Sequence, residues 1–148
     1  MLLNATFAHI NLIARDWQSL ATFYESVFSC VRLQPERDLK GGWLDRGTGI
    51  PNAHIRGIHL RVPGSSVTLE ILQYDRQLAP QPTAANRPGF GHIAFQVEHV
   101  AEAKAEVLRA GGKPVGESVT IEIPGAGKLT WVYVADPEDN IIELQKWH

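Results

Sequence analysis

One cysteine, Cys30, is all the thiol this chain has. No internal disulfide can form, and a zinc site of the thiolate kind cannot be built. Cys30 closes an apolar helical pattern and reads as a small buried hydrophobe. Charge of one sign is lacking too. Fourteen basic residues stand against sixteen acidic ones, a net of −2, which leaves no broad electrostatic footprint for nucleic acid or an anionic membrane. Long apolar runs are also missing. Asn4, His9 and Asn11 break up the first stretch, and no basic region leads it. Neither a signal peptide nor a membrane span is expected, and the expected location is the cytoplasm. What is present is a chain of 148 residues with 44 % hydrophobic content, enough for a core without staples.

Along the chain, strand-like and helix-like patterns alternate. Residues 5–13 read as a strand. Asp16 is placed to cap a helix, because Trp17, Leu20, Tyr24, Val27 and Phe28 recur at helical spacing. Glycines at 41, 42, 47 and 49 mark turns, with short strands expected around Val31 to Leu33 and Trp43-Leu44. Residues 55–62 and 67–74 read as strands joined by Pro63-Gly64-Ser65-Ser66. A proline-bearing linker, 76–89, follows. The pattern then restarts: a strand at 91–98, a helix at 99–110 stopped by Gly111, and strands at 113–123, 131–135 and 140–147. The helix is expected to bury Val100, Ala103, Val107 and Leu108.

The two halves are one plan written twice. Phe7-Ala8-His9-Ile10 lines up with Phe90-Gly91-His92-Ile93, and Ile58 to Glu70 repeats the interval from Trp131 to Glu143. Side chains two apart on a strand share a face. His9, Glu70, His92 and Glu143 therefore lie opposite the apolar faces of their strands. A carboxylate inside an apolar strand is costly unless something compensates it. Two such Glu residues, each matched with a His, suit one divalent cation with mixed nitrogen and oxygen ligands. Ni²⁺, Co²⁺ or Zn²⁺ come first and Mn²⁺ or Fe²⁺ next. Asn11, Gln96 and Gln145 share the ligand faces as candidate substrate-binding residues. His59 and Arg61 join them from the neighbouring strand, provided no bulge intervenes. Lys128, in an expected loop, is a candidate for a substrate anion. Trp43, Trp131 and Trp147 are assigned to packing or an interface.

These residues resemble the vicinal oxygen chelate superfamily, which holds glyoxalase I, methylmalonyl-CoA epimerase, extradiol dioxygenases, and fosfomycin and bleomycin resistance proteins. The resemblance rests on His9, the helix from Asp16 through Phe23-Tyr24, Gly91-His92-Ile93-Ala94-Phe95, and the run Asp136-Pro137-Glu138-Asp139-Asn140-Ile141-Ile142-Glu143-Leu144. One departure is Phe28-Ser29, where the family usually has Leu-Gly. The resemblance implies an α+β fold of two tandem βαβββ modules, forming a curved mixed sheet around a metal site. The whole chain, 1–148, would then be one domain, with module one at 1–75 and module two at 90–148. It also implies a homodimer, with the site built within one chain or across two.

The order His9, Glu70, His92, Glu143 looks like bacterial glyoxalase I. The resemblance therefore implies a metal-dependent isomerase, epimerase or lyase that forms an enediolate from a small carbonyl substrate, with Glu143 or Glu70 as the base. Two positions depart from that enzyme. Ile13 stands where it carries Arg and Tyr74 where it carries Asn, so a glutathione grip is not expected. The stretch 40–62 offers only Asp45 as an acid, which counts against a strict epimerase. The alternatives are an Fe²⁺ or Mn²⁺ dioxygenase, which would use two His and one Glu, and a small-molecule-binding or antibiotic-sequestering protein of the same fold.

Overall fold

The computed structural model of the chain describes residues 4–148, and these divide between residues 79 and 80 into two compact units. The fold is α+β: two βαβββ modules carry mixed sheets of four and five strands with three helices. No helix among the described residues is long and apolar enough to cross a membrane.

In the first unit, β1 (His9–Ile13) leads into α1 (Trp17–Phe28). Asp16 caps this helix by accepting from the backbone N–H groups of Gln18 and Ser19, each at 3.1 Å. The helix buries Trp17, Leu20, Ala21, Phe23 and Tyr24. Ser29, in the left-handed region at φ 54°, ends it. β2 (Val31–Lys40), β3 (His54–Arg61) and β4 (Thr68–Tyr74) complete a sheet ordered β1-β4-β3-β2, in which β1 runs parallel to β4 and the other neighbours are antiparallel. Ile58, Leu60, Leu69 and Ile71 are buried on the face that α1 covers.

Two expectations are corrected here. The short strand near residue 31 is the start of a ten-residue strand, whose register shifts between Leu33 and Arg37. Pro35 sits inside that shift, on an edge strand where its missing N–H costs nothing. Trp43 and Leu44 belong to a helix, α2 (Gly42–Thr48), and not to a strand. Leu44 packs with Ala53 and Ile55, flanked by Leu39, Leu72 and Tyr74. The Asp45 carboxylate accepts from the N–H groups of Asn52 and Ala53, both at 2.9 Å. Tertiary packing and this bracket hold a segment whose glycines disfavour helix on their own.

In the second unit, β5 (Ile93–Gln96) and α3 (Val100–Arg109) are followed by β6 (Lys113–Pro114), β7 (Val119–Ile123), β8 (Gly127–Ala135) and β9 (Ile141–Trp147). The sheet order is β5-β9-β8-β6, with β7 also paired to β8. The strand expected at 113–123 is thus two pieces on one partner, and together they occupy the place β2 holds in the first unit. On α3, Val100 and Val107 are buried, whereas Leu108 is exposed and Ala103 half-buried. Gly111 ends the helix at φ 96°, and the Gly112 N–H reaches the Val107 carbonyl at 2.9 Å. Val132, Val134, Ile142 and Leu144 form the buried face.

The turn from β8 to β9 is built on a buried carboxylate. Asp136 is 0 % exposed. It accepts from the N–H groups of Glu138 and Asn140 and from the Asn140 side-chain amide, at 2.9, 3.0 and 2.8 Å. Asp139 takes φ 72° within the same turn.

Candidate functional site

β4 lies between β1 and β3, so one row of residues crosses three strands. Asn11, Glu70 and His59 are direct neighbours in that row. No bulge interrupts the pairing of β3 with β4, and His59 therefore shares the Glu70 face. The Glu70 carboxylate, 17 % exposed, is contacted from both sides. Asn11 Nδ2 donates to Oε1 at 3.0 Å and to the Glu70 carbonyl at 3.2 Å. His59 Nε2 stands 2.6 Å from Oε2, and His9 Nε2 stands 3.6 Å from Oε1. The His9 and His59 rings meet edge to face at 5.8 Å. Arg61 is exposed in the next row, across Thr68 from His9.

The second unit repeats the row with different chemistry. Glu143 on β9 lies between Ala94 and Tyr133. His92, just before β5, brings Nε2 to 2.9 Å from Glu143 Oε2. The Tyr133 ring packs against His92 at 5.0 Å and against Trp131 at 4.9 Å. Gln96, Gln145 and Trp131 form the next row.

Lys128 is not in the loop. It is exposed at the start of β8 opposite Glu122, and strand alternation puts it with Thr130 and Val132, on the face away from Tyr133 and Glu143. Trp131 and Tyr133 form an aromatic wall beside the carboxylate; the alternation within Trp131-Val132-Tyr133 was the signal for it. A further cluster also lies outside the sequence reading. His54 is held between Asp38, 2.5 Å from Nε2, and Asp75, 2.9 Å from Nδ1, and Arg56 joins Asp75 at 2.7 Å. The hydrogen bond from His54 holds the Asp38 carboxyl below its ordinary range. Cys30 is buried, and that burial pushes its thiol up to about 11, so it is protonated and inert at neutral pH.

By chemistry, the donor set of two imidazoles and two carboxylates suits a divalent cation. Two ligand atoms about 2.1 Å from one ion stand about 3.0 Å apart at a right angle, close to the 2.9 Å between His92 and Glu143 and below the 3.6 Å between His9 and Glu70. Among the described residues, no group of three or more His, Cys, Asp or Glu side chains is already gathered to enclose an ion.

A sequence model of the Glyoxalase/Bleomycin resistance protein/Dioxygenase superfamily matches residues 8–128. The chain belongs to that superfamily. Solved members share its fold along nearly their whole length. A glyoxalase family protein from Bacillus cereus superposes with a TM-score of 0.78 at 21 % identity, covering 99 % of this chain and 95 % of that one. A glyoxalase family protein from Enterococcus faecalis gives 0.63 at 23 % identity, covering 96 % and 98 %. The fosfomycin resistance protein FosX from Listeria monocytogenes, solved with Mn(II) and sulfate, gives 0.57 at 15 % identity, covering 99 % and 95 %. At these identities the likeness is one of fold. A curated SufBD-family iron–sulfur cluster assembly protein of Mycobacterium tuberculosis is 29 % identical over 90 residues. That match takes in 57 % of this chain but only 23 % of the relative's length. The superfamily includes many metal-dependent enzymes, and membership alone does not choose among their reactions.

Proposed function

We propose that this chain is a divalent-metal-dependent isomerase, epimerase or lyase acting on a small carbonyl compound, working as a cytoplasmic homodimer. One observation supports the reading: each unit sets a Glu beside histidine on the polar face of its sheet, Glu70 with His9 at 3.6 Å and His59 at 2.6 Å, and Glu143 with His92 at 2.9 Å. The proposed ligands are His9, Glu70, His92 and Glu143, two imidazole nitrogens and two carboxylates whose charge offsets that of a divalent ion. Bound, the ion supplies Lewis acidity to a carbonyl oxygen and favours the enediolate formed on proton loss next to it.

The chain's own residues do the rest. Glu143 or Glu70 takes the proton from the carbon beside the carbonyl, as that C–H pair moves into the enediolate. The same carboxyl returns the proton to the neighbouring carbon for an isomer, or to the other face for an epimer. Gln96, Gln145 and Arg61 would orient oxygen atoms of the substrate. Glutathione is not part of this reading. Tyr74 packs against the cluster of Leu44, Ala53 and Ile55, and Ile13 offers no charge to a thiol conjugate.

A second reading is supported by the aromatic wall of Trp131 and Tyr133 beside Glu143: capture of a planar small molecule without turnover. Metal analysis after reloading, followed by NMR of α-hydroxy carbonyl substrates in D₂O, tests both. About one Ni²⁺, Co²⁺ or Zn²⁺ per chain, with deuterium entering beside the carbonyl, is the expected result. Metal without exchange across the substrate panel favours capture. A chain that takes up no metal overturns the proposal.

A further inference from the structure

The two carboxylates are not held alike. Glu70 has a hydrogen-bonding neighbour on each side, because β4 is flanked by Asn11 on β1 and by His59 on β3 in the same row. Asn11 holds Oε1 at 3.0 Å and also grips the Glu70 carbonyl, which fixes side chain and backbone together. His59 holds Oε2 at 2.6 Å. Opposite an ionised carboxylate, which only accepts, an imidazole nitrogen acts as the donor. In the second unit the matching neighbours of Glu143 are Ala94, whose side chain has nothing to donate, and Tyr133, whose ring is engaged with His92 and Trp131.

We infer that Asn11 and His59 are positioning residues that clamp Glu70 as a fixed metal ligand. The inference rests on the metal reading above. A carboxylate held by two outside donors arrives at the ion with its rotamer already chosen, and losing such a partner typically weakens metal affinity 10- to 100-fold. His59 then acts through Glu70 and does not itself touch the ion.

The test is competitive titration of Co²⁺ against a chromogenic chelator, with the Co²⁺ absorption band reporting the ligand field. The wild-type chain is compared with His59→Ala, His59→Gln, Asn11→Ala and, as a control in an exposed turn, Ser65→Ala. His59→Ala and Asn11→Ala should each weaken Co²⁺ binding by about 10-fold or more. His59→Gln presents an N–H near the same point and should restore most of the loss with an unchanged band. Ser65→Ala should bind as wild type. If the wild type binds Co²⁺ and the two alanine variants bind it equally well, the clamp is overturned and the metal reading stands. If His59→Gln is as weak as His59→Ala, an N–H donated to Glu70 is not what His59 supplies and the clamp is overturned. If the wild type binds no Co²⁺, the metal reading itself fails and takes the clamp with it.

Discussion

The two units share a framework and differ in how each one turns its last hairpin. Between β3 and β4 the chain crosses six exposed or half-buried residues. There Gly64 takes φ 74°, the Ser65 N–H reaches the Val62 carbonyl at 3.2 Å, and the Ser65 hydroxyl accepts from Val67 at 3.0 Å. Between β8 and β9 the same task falls to the buried Asp136 carboxylate, which accepts three hydrogen bonds. The first turn depends on backbone freedom and water; the second is a buried polar node. The same contrast runs through the sheets' polar faces, with Asn11 and His59 beside one carboxylate and Ala94 and Tyr133 beside the other. Duplication preserved strand order and the position of the acids, while their neighbours diverged.

The largest expected effect separates the two carboxylates' partners. His92→Ala should remove metal binding with the fold intact, because Glu143 then loses the histidine beside it; equilibrium dialysis checks this, and full metal retention would refute the ligand assignment. Next, Glu143→Gln should lower turnover by about 10²- to 10⁴-fold, the range for loss of a general base, whereas Gln145→Ala in the adjacent row should cost far less. Steady-state kinetics on metal-loaded protein distinguishes them.

Stability then tests the turns. Asp136→Ala leaves buried donors without an acceptor and should destabilise by about 1–3 kcal/mol or more. Ser65→Ala in the exposed turn should cost under about 0.5 kcal/mol. Denaturant melts of both variants would break the comparison if the costs came out equal. Gly57→Ala is a third probe. A Cβ there would run into the Ile71 carbonyl oxygen and the Leu72 backbone, and about 1–3 kcal/mol of overpacking is expected, again by denaturant melt.

A pH-dependent effect concerns Asp16, whose carboxyl is held below its ordinary range chiefly by the Ser19 hydroxyl and then by the Ser19 N–H. The folded value lies below the unfolded one. Its stabilisation is therefore complete above the unfolded value of about 3.9 and is lost as pH falls through the folded value. Asp16→Ala should cost about 1 kcal/mol at neutral pH, and Asp16→Asn should keep most of the cap while flattening that acid-side slope in urea melts.

Much of this was legible in the sequence, because the features involved are periodic. Alternation put Glu70 and Glu143 opposite buried faces, helical spacing with Asp16 ahead of it placed α1, and the doubled pattern announced the two modules. Long-range packing was not legible. Helix α2 exists because Leu44 reaches Ile55 and Asp45 reaches Asn52 and Ala53, and no local pattern carries that. The break between β6 and β7 depends on both pieces finding β8. Lys128 belongs to a strand that begins earlier than its apolar run, so alternation could not be applied to it. The His54 cluster joins Asp38 and Asp75 across β2, β3 and the end of β4, which a linear reading does not bring together. The equal intervals from Ile58 to Glu70 and from Trp131 to Glu143 also misled in one respect. Glu70 faces His59, eleven residues earlier, while Glu143 faces Tyr133, ten residues earlier.

That difference lies entirely in the turns, six residues between Arg61 and Thr68 and five between Ala135 and Ile141. Because a directly paired couple closes each hairpin, one residue more or less is absorbed outside the ladder and flips no side chain. Single-codon insertions and deletions at these two turns are therefore nearly silent for the carboxylates, while one inside β4 or β9 would invert its sheet face. Length changes have a safer place to collect in the exposed turn after Arg61 than in the turn held by the buried Asp136.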